Sequence, residues 1–518
     1  MGGLWMRVLF LSVDQWRGDY FGFMGHPVIQ TPNIDALAED SAQFRRHYAV
    51  AAPCGPSRTS MLTGLYPQVH RSVYNGAPLE QRFDNIASLV RDHGGHPQLI
   101  GYTDTSIDPA TVAKGDKRLR SYEGVMTGFH QLYDHSEMML GLWRHHLSQA
   151  SVDVGEGSFR DLYAHQEYSA SAFPDSPAKY EAAYSDTAFI ADRLMEHIDV
   201  FGQDEHMFVH GVFLRPHPPL VAPEPFHSMY ESFDITPALP HQNDTDEFVA
   251  AWLKFQTTSP EYYDADIDMS SLTEKDVCAM RRVYLGLATE VDHHIGRLIN
   301  HLKQKGLYDE TLIIFTSDHG EMLGDYGLWG KMGFFDPAFH IPLLVKPPKS
   351  FPCMPGPRHG FTENVDVMAT IADYLQLPTS PDVAGISLRQ NIHDPGQPLR
   401  YYASWAFDYR CQDDLFFENE LGQPSEACLM HVFKTDAEKV VIRPGKLPLY
   451  LSTNPDGSES YCVPSQGHER LFHTSISHLL VNFERKYANM RLSADGPVSF
   501  YTKREALVEF LGRDVRNR

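Results

Sequence analysis

Short unbroken apolar runs alternate with segments of helical three-to-four spacing through most of the chain. Val8–Val13, Leu99–Tyr102, Phe208–Leu214, Thr311–Thr316 and Ile341–Val345 read as buried strands. Between them, Thr31-Pro32-Asn33 opens a helix with Ile34, Leu37, Ala38 and Phe44 on one face. Ile86–His93 reads as a second helix, closed by Gly94-Gly95. A long one runs from about Lys275 to Lys305 and carries Val283, Leu287, Val291, Ile295 and Leu298, and Val365–Leu375 is another. The strands end in polar clusters: Asp14-Gln15, Thr103-Asp104-Thr105, Arg215-Pro216-His217 and Ser317-Asp318-His319-Gly320-Glu321. This alternation predicts an α/β fold, a doubly wound, mostly parallel sheet flanked by helices, with its site at the carboxyl ends of the strands.

Residues about 222–275 are polar, Pro-rich and acidic and yield no assignment. After about Arg400 the pattern changes. Tyr401–Ala406, His431–Phe433, Lys439–Ile442 and Leu449–Leu451 are short strand-like pieces separated by Gly, Pro and Asp. The predicted organisation is a catalytic domain over 1–400 and a smaller C-terminal α+β domain with an antiparallel sheet over 401–518. The tail from about Glu484 is charged and carries Phe500, Tyr501, Leu507, Val508, Phe510 and Leu511, which suits an arm packed on another subunit.

The 518 residues exceed what one core usually holds. Apolar content of 42% and charged content of 21% describe an ordinary globular protein. A net charge of −23 excludes a nucleic-acid binder and gives no basic patch for an anionic membrane. Any anionic substrate must therefore be held by local charge. The N-terminal apolar run is too short for a signal segment, and no uncharged stretch is long enough to span a membrane, so a cytoplasmic protein is expected. Six scattered cysteines show neither disulfide nor zinc spacing.

One of them, Cys54, lies in Pro53-Cys54-Gly55-Pro56-Ser57-Arg58. The two prolines predict a turn, with a helix capped by Ser57 following it and Met61 and Leu62 facing the core. A Cys there meets free backbone N–H groups, and Arg58 adds a fixed cation. Asp14, Asp318 and His319, at two strand ends, are candidate ligands of a divalent metal.

Cys54-Gly55-Pro56-Ser57-Arg58 matches every fixed position of the sulfatase signature Cys-x-Pro-Ser-Arg. Val13-Asp14-Gln15 and Ser317-Asp318-His319-Gly320 resemble the two metal loops of the sulfatase branch of the alkaline phosphatase superfamily. Thr362–Ile371 and Val383–Leu388 are similar to further stretches of that family. Typical sulfatases carry a second Asp where this chain has Gln15, often Asn where it has His319, and a Lys and a His where it has Tyr102 and Asp104. Asp14-Gln15, Asp318-His319 and Gly101-Tyr102-Thr103 most resemble the phosphonate monoester hydrolase/phosphodiesterase subfamily, which commonly has Thr at the place of Asp104.

The resemblance implies that Cys54 is oxidised to formylglycine by a formylglycine-generating enzyme, and that the hydrated aldehyde is the nucleophile. It implies one divalent metal ion held by Asp14, Gln15, residue 54, Asp318 and His319. The His319 nitrogen favours Mn2+, with Ca2+ as the alternative. Arg58 would stabilise the hydrate, Asn75 would donate near the nucleophile, and Lys331 and His217 would serve the leaving group. Loss of cationic donors at Tyr102 suits a singly charged ester, with Thr103 or Thr105 as a further donor in place of Asp104. The expected function is hydrolysis of phosphonate monoesters and phosphodiesters with promiscuous sulfatase activity, in a homo-oligomer, as a tetramer. The alternatives are a cytoplasmic arylsulfatase or alkylsulfatase and a catalytically inactive binding homologue.

Overall fold

The computed structural model describes residues 6–136, 140–156, 158–166, 176–240, 246–258, 269, 272–396, 398–410, 415–455 and 457–488. An eight-stranded sheet forms its centre. The order is Gly356–Arg358, Ala42–Phe44, Leu343–Lys346, Thr311–Ser317, Arg7–Asp14, Met207–Pro216, His96–Ile100 and His130–Tyr133. Only Leu343–Lys346 runs antiparallel to its neighbours. Every other ladder in this sheet is parallel.

The Arg7–Asp14 strand explains the architecture. Residues of both parities, Val8, Leu9, Phe10, Leu11 and Val13, are fully buried, which a strand covered on both faces requires. One group of helices contains Pro32–Glu39, Asp186–Phe201 and Glu274–Gln304; a second contains Cys54–Thr63, Ile86–Asp92 and Val365–Tyr374. Val13 pairs with Phe213 on one side and Ser317 on the other. Asp14 and Asp318 therefore leave the sheet side by side.

A six-stranded sheet makes the C-terminal part, in the order Glu459–Tyr461, Leu449–Thr453, Glu438–Ile442, Leu429–Lys434, Ala403–Asp408 and Ala51–Ala52. The last of these comes from the N-terminal part and pairs in parallel with Ala403–Asp408. The second sheet thus takes hold of the chain immediately before Cys54. The Gln466–Ala488 helix covers it through Leu471 and Leu479, packed with Phe433, Val440 and Ile442. The apolar positions expected to form an arm, Phe500 to Leu511, lie outside the described residues.

Three expectations are corrected. Phe44 belongs to the Ala42–Phe44 strand, not to the preceding helix. That helix stops at Glu39 because Ser41 Oγ donates to Leu37 O at 2.6 Å and turns the chain into an edge pairing with Leu344 and Val345. The helix placed after Cys54 starts at Cys54 itself, with Pro56 inside its first turn, where a missing N–H costs nothing. Ser57 is consequently inside the helix and does not cap it. The unassigned region contains a helix, Glu247–Thr258, whose Phe248 and Trp252 are buried among the aromatic residues under the second sheet.

Arg400 joins the two sheets. Its guanidinium takes Asp366 in a two-pronged pair at 2.5 and 2.7 Å and Glu363 at 3.3 Å, all buried. Glu363 in turn accepts from the Ser404 N–H and hydroxyl at 2.7 and 2.9 Å and from the Tyr66 hydroxyl. Removing one member of such a network strands the others in a dry interior. Arg400→Ala is expected to cost roughly 3–5 kcal/mol of stability, read as a lowered denaturant midpoint. A midpoint within error of the wild type would show that the junction depends on apolar packing instead.

Candidate active site

Asp14 and Asp318 end adjacent strands, and the Cys54–Thr63 helix points its first turn at them. Asp14, Cys54, Asp318 and His319 offer ligand atoms that all lie within 4.8 Å of one another. All four are buried. His319 Nδ1–H donates to Gly320 O at 3.1 Å, which leaves Nε2 unprotonated. That nitrogen lies 3.6 Å from an Asp14 oxygen and 3.5 Å from an Asp318 oxygen. Burial brings the imidazole down to about 4, so it is neutral. The same nitrogen lies 3.2 Å from Cys54 Sγ, so imidazole, sulfur and both carboxylates converge on one point, as the ligands of a cation do. The donor set of two carboxylates and one imidazole therefore fits a divalent ion.

Arg58 braces this group. Nη2 reaches Asp14 at 2.6 Å, Nε reaches Asp318 at 3.0 Å and Nη1 reaches Asp104 at 3.2 Å. Burial pushes the Asp318 carboxyl up, but the surrounding positive charge, with Arg58 and Lys331 in it, outweighs that and holds it below the usual carboxylate range. Both carboxylates are thus compensated before any ion is considered. The Arg58 guanidinium also lies 4.1 Å from the centre of the Tyr102 ring.

Lys331 Nζ donates to Cys54 Sγ at 2.9 Å and to Gln15 Oε1 at 2.9 Å. Its loop is held by Glu321, whose Oε1 accepts from Gly330 N at 2.6 Å and Leu323 N at 3.0 Å. The other Glu321 oxygen accepts from the Gln15 amide. Glu321 thereby turns the Gln15 oxygen toward Lys331 and the site. Burial, with a further push from Asp14, raises the Cys54 thiol well above its usual range, against a smaller opposing effect of Lys331. The helix N-terminus does not acidify this thiol, because burial first and Asp14 after it act the other way.

Asn75 Oδ1 accepts from Gly55 N at 2.9 Å, so it supports the first turn of the helix beside residue 54. Tyr102, expected to offer its hydroxyl to a substrate, donates it to Asp14 at 2.8 Å. Thr103 Oγ1 donates to Gly124 O at 3.1 Å and accepts from Met126 N at 2.8 Å, and Thr105 Oγ1 bonds Thr103. The Thr103 hydroxyl thus ties the strand end to the Gly124–Met126 loop, while the Thr105 hydroxyl turns back onto Thr103. His217 Nδ1–H donates to Pro218 O at 2.6 Å; burial and Lys331 push its pKa well below the usual range. The His217 loop is fixed by the fully buried Arg215, which donates to His217 O at 2.9 Å and Pro219 O at 2.6 Å.

Sequence reasoning left several supporting residues without a role. Glu321 stood in the strand-end run, three places after Asp318, and that position was its only signal. Ser57 Oγ donates to Asp318 O at 2.5 Å and accepts from Asn364 Nδ2 at 2.9 Å. Asn364 also accepts from Val50 N at 3.2 Å, so it joins the chain before Cys54 to the helix after it.

With this geometry in place, the chain can be set beside known proteins. The family model described as Sulfatase matches residues 7–377. A multifunctional alkaline phosphatase superfamily protein of Trinickia caryophylli is 33% identical over 469 residues, covering 88% of this chain and 90% of the relative. The phosphonate monoester hydrolase of Silicibacter pomeroyi superposes with a TM-score of 0.81 at 34% identity, covering 95% of this chain and 98% of that one. The phosphonate monoester hydrolase of Agrobacterium radiobacter gives 0.81 at 33%, covering 95% and 99%. The fold is alkaline-phosphatase-like with a C-terminal sheet domain. The chain belongs to the sulfatase family and is a hydrolase of that family.

Proposed function

We propose that this hydrolase cleaves phosphonate monoesters and phosphodiesters, with sulfate esters as secondary substrates. One observation carries the reading: the strand end at 101–105, where typical sulfatases gather cationic donors, presents Tyr102 bonded to Asp14 and Asp104 paired with Arg58. With that extra positive charge gone, an ester bearing one negative charge loses less than a dianion does. The likeness to phosphonate monoester hydrolases over nearly the whole chain supports it.

In this reading Asp14, Asp318 and His319 hold one divalent ion, with Gln15 and residue 54 completing its surroundings. The imidazole nitrogen favours Mn2+ over Ca2+. When bound, the ion would polarise an ester oxygen as a Lewis acid, and formylglycine at position 54, as its hydrate, would supply the attacking hydroxyl. Lys331, already in contact with Sγ of residue 54, holds negative charge that develops there. Arg58 fixes the two ligating carboxylates and offsets their charge. Asn75 fixes the backbone at Gly55. Neutral His217, with Nε2 as its remaining ring acceptor site, would take the proton given up by the attacking hydroxyl at position 54 and pass it to the departing alkoxide, which leaves as the alcohol. Its lowered pKa keeps it in the accepting form across neutral pH.

Maturation by a formylglycine-generating enzyme, a cytoplasmic location and a homo-oligomeric, tetrameric state belong to the same reading. Among the described residues no helix is long and apolar enough to cross a membrane.

Three outcomes are expected. Peptide mass spectrometry over residues 50–71 of the active enzyme should show position 54 without sulfur and with an aldehyde; an intact thiol in fully active protein contradicts the nucleophile. Asp318→Ala should lower metal content together with rate, by at least the roughly 10–100-fold seen when metal-site support is lost. Full metal occupancy in that variant would place the ion elsewhere. On matched p-nitrophenyl esters, catalytic efficiency for the phosphonate monoester or diester should exceed that for the phosphate monoester dianion by about one to two decades. Higher efficiency on the sulfate than on the diester would make the protein an arylsulfatase.

A further inference from the structure

A carboxylate stands where an anion-binding site would be expected to keep positive charge. Asp104 is only 6% exposed and adopts φ +50°, a conformation uncommon for a residue with a side chain. Its Oδ2 lies 3.2 Å from Nη1 of Arg58. Its backbone oxygen would lie 2.9 Å from a Cβ placed on Gly55, so residue 104 forms the wall directly beside position 54. The remaining edges of the guanidinium are taken by Asp14 and Asp318.

These three carboxylates are not equivalent. Asp14 and Asp318 belong to the group that offers ligand atoms to a cation, whereas Asp104 stands outside that group. Its ion-pair partner is Arg58, and its charge is also felt at Cys54 and Tyr102. Burial raises the Asp104 carboxyl to about 7 against the pull of Arg58, with Asp14 and the buried Glu123 adding to the rise, so its charge is carried most fully above neutral pH. The nearest hydroxyls, on Thr103 and Thr105, are bonded to the neighbouring loop and to each other.

We propose that Asp104 is a specificity-determining residue: held against Arg58 beside position 54, it lowers the positive potential met by the ester group and so selects against substrates that carry two negative charges. The inference rests on the phosphorus-ester reading and names the residue that sets its charge preference. An extra unit charge several ångströms from a carboxylate, at intermediate dielectric, is worth about one to two decades in rate.

The test compares metal-loaded, formylglycine-containing wild type with Asp104→Asn, Asp104→Thr and Asp104→Glu. The substrates are p-nitrophenyl phosphate, a dianion, and p-nitrophenyl phenylphosphonate, a monoanion with the same leaving group. Asn and Thr should raise the ratio of dianion to monoanion efficiency by about tenfold or more. Glu, which restores the charge, should stay near the wild-type ratio. Where turnover is too slow to measure, competitive inhibition by inorganic phosphate against dimethyl phosphate gives the same ratio. An unchanged ratio in both neutral variants overturns the role of Asp104 and leaves the phosphonate reading standing. A wild type inactive on the phosphonate overturns that reading, while the inhibition ratios still report on Asp104.

Discussion

The buried guanidinium of Arg58 is the interaction on which the rest of the site depends. It holds Asp14 and Asp318, the last residues of two adjacent central strands, and Asp104 from a third strand end. It does so from the second turn of the helix that begins with Cys54. Without it, three carboxylates would face one another in a dry interior, an arrangement that neither ionises nor packs stably. One side chain therefore sets the register between the sheet and the helix that carries the reactive position. The cost is that Arg58 has little positive charge left for a substrate, so the work of meeting an anion passes to Lys331 and to whatever cation the carboxylates and His319 hold.

A second layer keeps these groups from rearranging. Glu321 fixes the Lys331 loop and the Gln15 amide together. Asn364 and Ser57 tie the helix start to the carbonyl of Asp318. Arg17 and Arg281 both clamp Asp325, at 2.7 and 2.6 Å, in the loop leading to Lys331. Apart from the Glu321–Gly330 bond, these contacts join segments far apart in the chain, which is what a site at the carboxyl edge of a parallel sheet requires.

That separation explains what could be read from the sequence. Buried strands such as Val8–Val13 and Thr311–Thr316 announce themselves because apolar residues follow one another without alternation, and their polar ends mark the site edge. The Cys54 segment and the two strand ends that bring Asp14, Asp318 and His319 to it were legible as motifs. What stayed hidden depended on partners that no local pattern names. Tyr102 reads as a free donor until its hydroxyl is seen on Asp14, and Thr103 until the Gly124–Met126 loop closes over it. Ser57 looks like a cap because Pro56 suggests a break, yet a proline in the first turn leaves the helix intact. Glu321 is one acid among many until Gln15 and Gly330 are brought to it.

The charge distribution also bears on why residue 54 would need more than its thiol. A cysteine works as a nucleophile when its surroundings favour the thiolate. Here burial and Asp14 act in the opposite direction, and Lys331 alone does not compensate. The neighbouring imidazole cannot take the proton readily, since burial brings His319 to about 4. The same surroundings suit an oxygen nucleophile beside a divalent ion. The carboxylates that suppress a thiolate are the groups that bind a cation, and a cation is what would stabilise an alkoxide at that place. Disfavour of a free thiolate in the absence of a cation, and a donor set that fits a divalent ion, both follow from placing one helix N-terminus against two carboxylates at the edge of a sheet.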